Sequence, residues 1–162
     1  MHGAEAADTS GGIILMGDMS LKHGSETKIA GLMKKGVKVP NPASVEIGDE
    51  VDINRISGDG VVIHSGCKIF GAETLILSGT TLGYEAPATI DNCQIGVEVE
   101  LKGGYYNKSV FLDIAKLGMG AHIREATILE EQASIAHTVA LKHTILSPFV
   151  TLGSLINFCQ YA

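Results

Sequence analysis

Between Phe111 and Leu146 the sequence divides into six successive hexads without a shift of frame: FLDIAK, LGMGAH, IREATI, LEEQAS, IAHTVA and LKHTIL. Each opens on a large apolar residue, Phe111, Leu117, Ile123, Leu129, Ile135 and Leu141. The fifth position holds Ala115, Ala121, Thr127, Ala133, Val139 and Ile145, small or β-branched and never charged, which makes a second inward row. A helix would scatter a six-residue row around its circumference and leave no face to bury. A short strand followed by a turn, three times per coil, points every opening residue at one axis. The expectation is an all-β chain wound as a three-sided parallel β-helix, with successive coils stacked about 4.8 Å apart. Phe111 then lies on Leu129, Leu117 on Ile135, and Ile123 on Leu141.

Composition agrees with a narrow aliphatic solenoid. Among 162 residues, the length of one domain, there are 20 glycines for corners that need positive φ, and aromatic residues make up only 5%. A net charge of −6 argues against nucleic acid as a partner, because binding there rests on neutralising phosphates. The three cysteines, Cys67, Cys93 and Cys159, show no CxxC spacing, so neither a disulfide framework nor a zinc knuckle is expected. Cys67 and Cys93 fall in inward slots and read as small core residues. No run of eighteen apolar residues and no signal-peptide pattern is present, so no membrane partner and a reduced, cytoplasmic setting are expected.

Taken in order, residues 1–24 read as a tail or edge segment, with Ile13–Met16 the one stretch able to add a strand to an edge. Residues 25–42 read as a capping helix and a proline-containing linker. Ser25 is placed as the N-cap, Ile29, Leu32 and Met33 form one apolar stripe, and Gly36 is the stop. Residues 43–162 read as the β-helix. Ile47 and Ile53 open its first hexads, followed by Ile63, Ile69 and Leu75, and then by Leu82, Ile95 and Leu101 at slipped intervals. Those slips are expected at corners, where a coil gains or loses a residue without flipping a face. The segment Lys102–Lys108 is the expected irregular corner, and Ser147-Pro148 the expected break. The last residues remain apolar with no capping helix, which suggests a truncated solenoid that self-associates as a homo-oligomer, a trimer ahead of a dimer.

Two stretches carry a resemblance. LMKKGVKVPNP, Leu32 to Pro42, is similar to the junction between the catalytic domain and the β-helix of bifunctional N-acetylglucosamine-1-phosphate uridylyltransferases. AKLGMGA, Ala115 to Ala121, is similar to a coil of their acetyltransferase half. The chain from about Leu32 onward thus resembles the β-helix of those enzymes and of proteins related to UDP-N-acetylglucosamine pyrophosphorylase, which implies left-handed coils. Nothing before Leu32 has room for a nucleotidyltransferase domain. In the acetyltransferase motif of that family a lysine and a histidine base follow the glycines, and on this chain those positions hold His122 and Glu125. The resemblance therefore implies a non-catalytic or degenerate module, an oligomerisation or ligand-binding scaffold.

The alternative is acyl transfer from acetyl-CoA to a sugar or amine in a groove between subunits, which needs a histidine near neutral pKa. Of His64, His122, His137 and His143, the candidates for the base are His137 and His143, third in consecutive hexads. Glu125 sits one coil before His143, either to orient the imidazole or as one half of a solvated surface pair. Lys102, Gly103, Gly104, Tyr105 and Lys108 form the candidate ligand-binding set, able to cradle a phosphate or, with Tyr106, stack a base of a nucleotide-sugar or acyl-CoA. The same residues also serve as a plain corner loop. The histidine spacing does not favour a metal site.

Overall fold

The computed structural model describes residues 12–159. A 24-residue helix, α1 (Gly12–Lys35), leads into a parallel β-solenoid of about six turns. Its strands fall on three faces, so that from Val62–Ile63 onward every third strand in sequence is a hydrogen-bonded neighbour. Among the described residues the first face carries Glu46–Ile47, Lys68–Phe70, Ala88–Asp91, Gly104–Asn107, Ala121–Arg124, Ala140–Lys142 and Asn157–Cys159. The second carries Leu75–Ile76, Gln94–Ile95, Ser109–Phe111, Thr127–Leu129 and Ile145–Leu146. The third carries Val62–Ile63, Thr81–Leu82, Glu100–Leu101, Lys116–Leu117, Ser134–Ile135 and Thr151–Leu152. This is the all-β, three-sided parallel β-helix that the hexads demand, consistent with the left-handed form.

The stacking follows the expected register. Phe111 pairs with Leu129, Leu117 with Ile135, and Ile123 with Leu141. All six opening residues are buried, as are Ala115, Ala121, Thr127, Ala133 and Val139. Each aliphatic side chain enclosed in this way contributes about 1.5–3 kcal/mol of burial free energy. Cys67 and Cys93 are fully enclosed in the same interior.

Ile145 departs from the frame. It is 64% exposed, and Leu146 takes the inward slot. The cause lies at the first corner, between the first and second faces. Residues Lys108, Ala126 and His143 occupy equivalent left-handed corner positions with φ of 45°, 53° and 50°. Glu125 is an additional corner residue in its coil: Arg124 pairs with Lys142 eighteen residues on, whereas Ile128 pairs with Ile145 seventeen residues on. The next coil lacks that extra residue, so everything after His143 moves inward one place early. Ser147-Pro148 does not break the pattern either, because Leu152 pairs with Ile135 and Pro148 sits in a corner turn.

In the earlier coils the slips do fall at corners, but at other residues than expected. Ile76, not Leu75, is buried after Ile69, and Ile56, not Ile53, belongs to the core, bridging to Ile76. Ile90 and Tyr106 complete the inward row between Leu82 and Phe111. Lys102–Lys108 is not an irregular corner: after Gly103, Gly104–Asn107 is a strand of the first face. Tyr106 points inward, its hydroxyl donating to the Gly103 carbonyl at 3.1 Å and its ring meeting Phe111 edge-on at 5.7 Å. Burial pushes its phenol pKa up. Small residues make this large side chain admissible in a narrow interior, Cys93 and Ala88 being fully buried on the coil before.

The helix also differs from expectation. It begins at Gly12, so Ile13–Met16 is helical and not an edge strand, and Ser25 lies within the helix instead of capping it. No proline interrupts residues 12–35, so nothing stops the helix from starting early. The Ser25 hydroxyl instead accepts the Ile47 N–H at 2.9 Å, satisfying a strand donor of the first coil. Gly36, with φ of 113°, ends the helix as expected. Its N–H reaches the Met33 carbonyl and that of Val37 the Leu32 carbonyl, a Schellman closure. Ile29 and Leu32 pack into the core while Met33 is 45% exposed. Expectations for residues 1–11 and 160–162 lie outside the described residues.

Candidate functional site

The three candidate catalytic residues are separated by the geometry of one coil. His137 stands at the third corner, which leads into the strand Ala140–Lys142, and His143 at the first corner, which follows that strand. At about 3.3 Å per residue the intervening strand holds the two backbone positions more than ~10 Å apart. Nδ1 of His137 lies 2.9 Å from the Ser154 hydroxyl one coil on, a contact that orients the ring. His143 donates its backbone N–H to the Glu125 carbonyl at 3.0 Å, so the two residues are neighbours through the main chain. The Glu125 carboxylate faces Lys142 at 3.6 Å, and its Oε2 is enclosed without a hydrogen-bond partner.

The candidate ligand-binding set is divided as well. Lys102 and Gly103 belong to the third corner and Lys108 to the first, with a strand of the first face between them, so the two ammonium groups do not converge on one phosphate. Lys102 is engaged by Glu85 at 3.0 Å, and that hydrogen bond and charge raise its pKa. Gly103 and Gly104, with φ of 150° and 140°, serve close packing: a Cβ on either would strike the backbone of Ala86 or Ala121. Tyr105 points outward from the strand against His122, with ring centroids 5.3 Å apart. Among the described residues no group of three or more His, Cys, Asp or Glu side chains is placed to hold a metal ion.

A feature that the hexads did not single out is the enlarged third corner of the second full coil, Gly83–Pro87. The interval from Leu82 to Ile90 is eight residues, and the surplus folds back so that the Glu85 and Ala86 N–H groups both reach the Lys102 carbonyl at 2.9 Å. This loop presents Tyr84, 69% exposed, edge-on to His64 at 5.5 Å. Tyr84 divides two open hollows of about 210 and 260 Å³, the first floored by Leu101 and the second bordered by His64 and Pro87. The long interval and Pro87 were the signals in the sequence. A larger hollow of about 550 Å³ lies between α1 and the first coil, with Glu46, Asp49 and Glu50 on its wall, a sign of charge that repels phosphates.

No family model matches the chain. Curated relatives do, among them several called "Bifunctional protein GlmU". The protein of Thermotoga petrophila is 32% identical over 120 residues, 74% of this chain and 25% of the relative. That of Staphylococcus haemolyticus is 30% identical over 110 residues, 68% and 23% of the respective lengths. That of Pelobacter propionicus is 29% identical over 117 residues, 71% and 24%. The matched stretch covers most of this chain but only about a quarter of each relative's length. The chain is a parallel β-helix homologous to that part of the bifunctional GlmU proteins.

Proposed function

We propose that the chain is a non-catalytic or degenerate β-helix module, related to sugar-nucleotide transferases, that acts as an assembly scaffold. The observation that carries this reading is the dispersal of candidate chemistry: His137 and His143 flank a whole strand, and Glu125 contacts His143 only through the main chain. General-base catalysis needs an imidazole and its orienting partner within hydrogen-bond reach of the proton to be removed. Calorimetry with acetyl-CoA tests it. The scaffold reading expects no binding, and saturable binding together with turnover overturns it.

One observation favours the alternative, acyl transfer from acetyl-CoA to a sugar or amine between subunits. The Ser154 hydroxyl at Nδ1 leaves Nε2 of His137 pointing away from its own orienter, the arrangement a base needs. Under that reading His137→Ala abolishes turnover and Ser154→Ala lowers it, while His143→Ala changes it little.

A further inference from the structure

The corner loop Gly83–Pro87 is longer than closing its coil requires, and it is firmly held. Glu85 and Ala86 both donate their N–H groups to the Lys102 carbonyl at 2.9 Å, and Gly103 packs so closely on Ala86 that a Cβ there would meet its backbone. What this fixed loop holds out is Tyr84, 69% exposed, with its ring edge-on to His64 at 5.5 Å. An aromatic ring left mostly in water contributes little to the core. Held in place beforehand, it loses little freedom when a ligand stacks on it.

The hollows on either side of Tyr84 set the size of that ligand. They measure about 210 and 260 Å³, below the ~300–1,000 Å³ of pockets for drug-sized molecules, so each suits a single ring. They also share a composition. The first puts the Thr81 hydroxyl and the Glu100 carboxylate beside Tyr84, and the second the Ser65 hydroxyl and the Glu85 carboxylate.

Charge narrows the class further. Glu85 is neutralised by Lys102 at 3.0 Å and Glu100 by Lys116 at 3.0 Å, so these four groups carry no net charge to draw in a phosphate or an ammonium. The two ion pairs still present acceptors and donors side by side with capacity to spare, which is what neighbouring hydroxyl groups need. The geometry points to a neutral oligosaccharide as the ligand. One pyranose ring lays its C–H face on Tyr84 in the first hollow, with its hydroxyls on Thr81, Glu100 and Lys102. The next ring enters the second hollow, where Pro87 supplies the apolar contact and Ser65 and His64 the polar ones. This goes beyond the scaffold reading and does not rest on it, since turnover of acetyl-CoA would overturn that reading and leave this site in place.

Titration of the isotope-labelled full chain with cellotetraose, maltotetraose and xylotetraose, followed through its amide resonances, tests the proposal. At least one of the three binds saturably, and the shifts concentrate on residues 64–65, 81–87 and 100–102. Tyr84→Ala, with its fold checked by circular dichroism, weakens that binding about tenfold or more, whereas Tyr84→Phe keeps the ring and holds it within about threefold. Added salt leaves the affinity unchanged, because the ligand carries no charge to screen. Failure of all three sugars to bind saturably, or binding that survives Tyr84→Ala, overturns the site. Binding that fades with salt, or an oligoproline peptide that moves the same resonances at lower concentration than any sugar, overturns the ligand class.

Discussion

The ammonium group of Lys28 lies 2.8 Å from the carbonyl oxygen of Val51, and the same group reaches the carbonyls of Gly48 and Asp49 at 2.8 and 2.6 Å. One turn or two further along α1, Lys35 does the same for Ile53 and Ile56 at 2.8 and 2.6 Å. The first coil has no coil before it along much of its edge, so its carbonyls lack the strand partners that every interior coil enjoys. Two lysines of one helix supply those partners. Lys28→Met should therefore destabilise by about 1.5–3 kcal/mol, the range for hydrogen bonds to a charged group, as read in urea unfolding. Amide exchange in the first coil should rise, while the coils around Phe111 keep their protection. Uniform loss of protection across all coils would refute this local role for α1.

Gly83 shows how tightly the corners are packed. It is buried with φ of 76°, and a Cβ there would collide with Sγ of Cys67 in the coil before. Gly83→Ala combines left-handed strain with that overlap and should cost about 2–4 kcal/mol in unfolding free energy. Adding Cys67→Ala removes the colliding sulfur and should recover part of the loss. Strict additivity of the two substitutions in a double-mutant cycle would show that the overlap is not what Gly83 avoids.

Much of this architecture is legible in the sequence because the β-helix repeats one decision at every coil. Phe111 to Leu141 could be placed inside, and on their stacking partners, from the six-residue interval alone. The errors cluster where a corner changes length. An added Glu125, or its absence one coil later, leaves no mark on composition, yet it moves Ile145 out and Leu146 in. Tyr106 was hidden for a related reason: two five-residue steps, Leu101 to Tyr106 to Phe111, imitate one irregular interval of ten. The candidate site was less legible still. Residues six apart in a hexad frame stand on different corners, so His137 and His143, or Lys102 and Lys108, look adjacent in the repeat and are held apart by a strand.

Ile114 holds a strained corner. Ile114→Asn relaxes a β-branched residue from φ of 63° and should stabilise the chain by up to about 1 kcal/mol, as read in urea unfolding. A variant that loses stability would contradict the strain assigned to this corner.

Burial makes the interior thiols inert. The Cys93 thiol is pushed up to about 11, and that of Cys67 is raised for the same cause. Thiolate is the reactive form, so both should resist a disulfide reagent at pH 8 in the folded protein and react only on unfolding. Cys159→Ser leaves them as the remaining cysteines and makes the count unambiguous. Rapid labelling of either in native conditions would mean that the coils open locally far more often than their packing implies.

Acid should act through Glu50. Its carboxylate accepts the Gly71 N–H at 2.7 Å, and that bond, with help from Lys28, holds its pKa below the ordinary 4.5. Because the folded value is the lower one, the ionised carboxylate stabilises the fold at every pH above the unfolded value. That contribution disappears as pH falls from about 4.5 through the folded pKa. Gly71 has φ of 88° at the first corner and a Cβ there would strike Asn92, so its N–H cannot easily turn to another acceptor. Glu50→Gln should accordingly lower stability at pH 7 by a modest amount, since the group is exposed, and should flatten the decline between pH 5 and 3. An unchanged slope of unfolding free energy against pH in that variant would assign the acid sensitivity to other carboxylates.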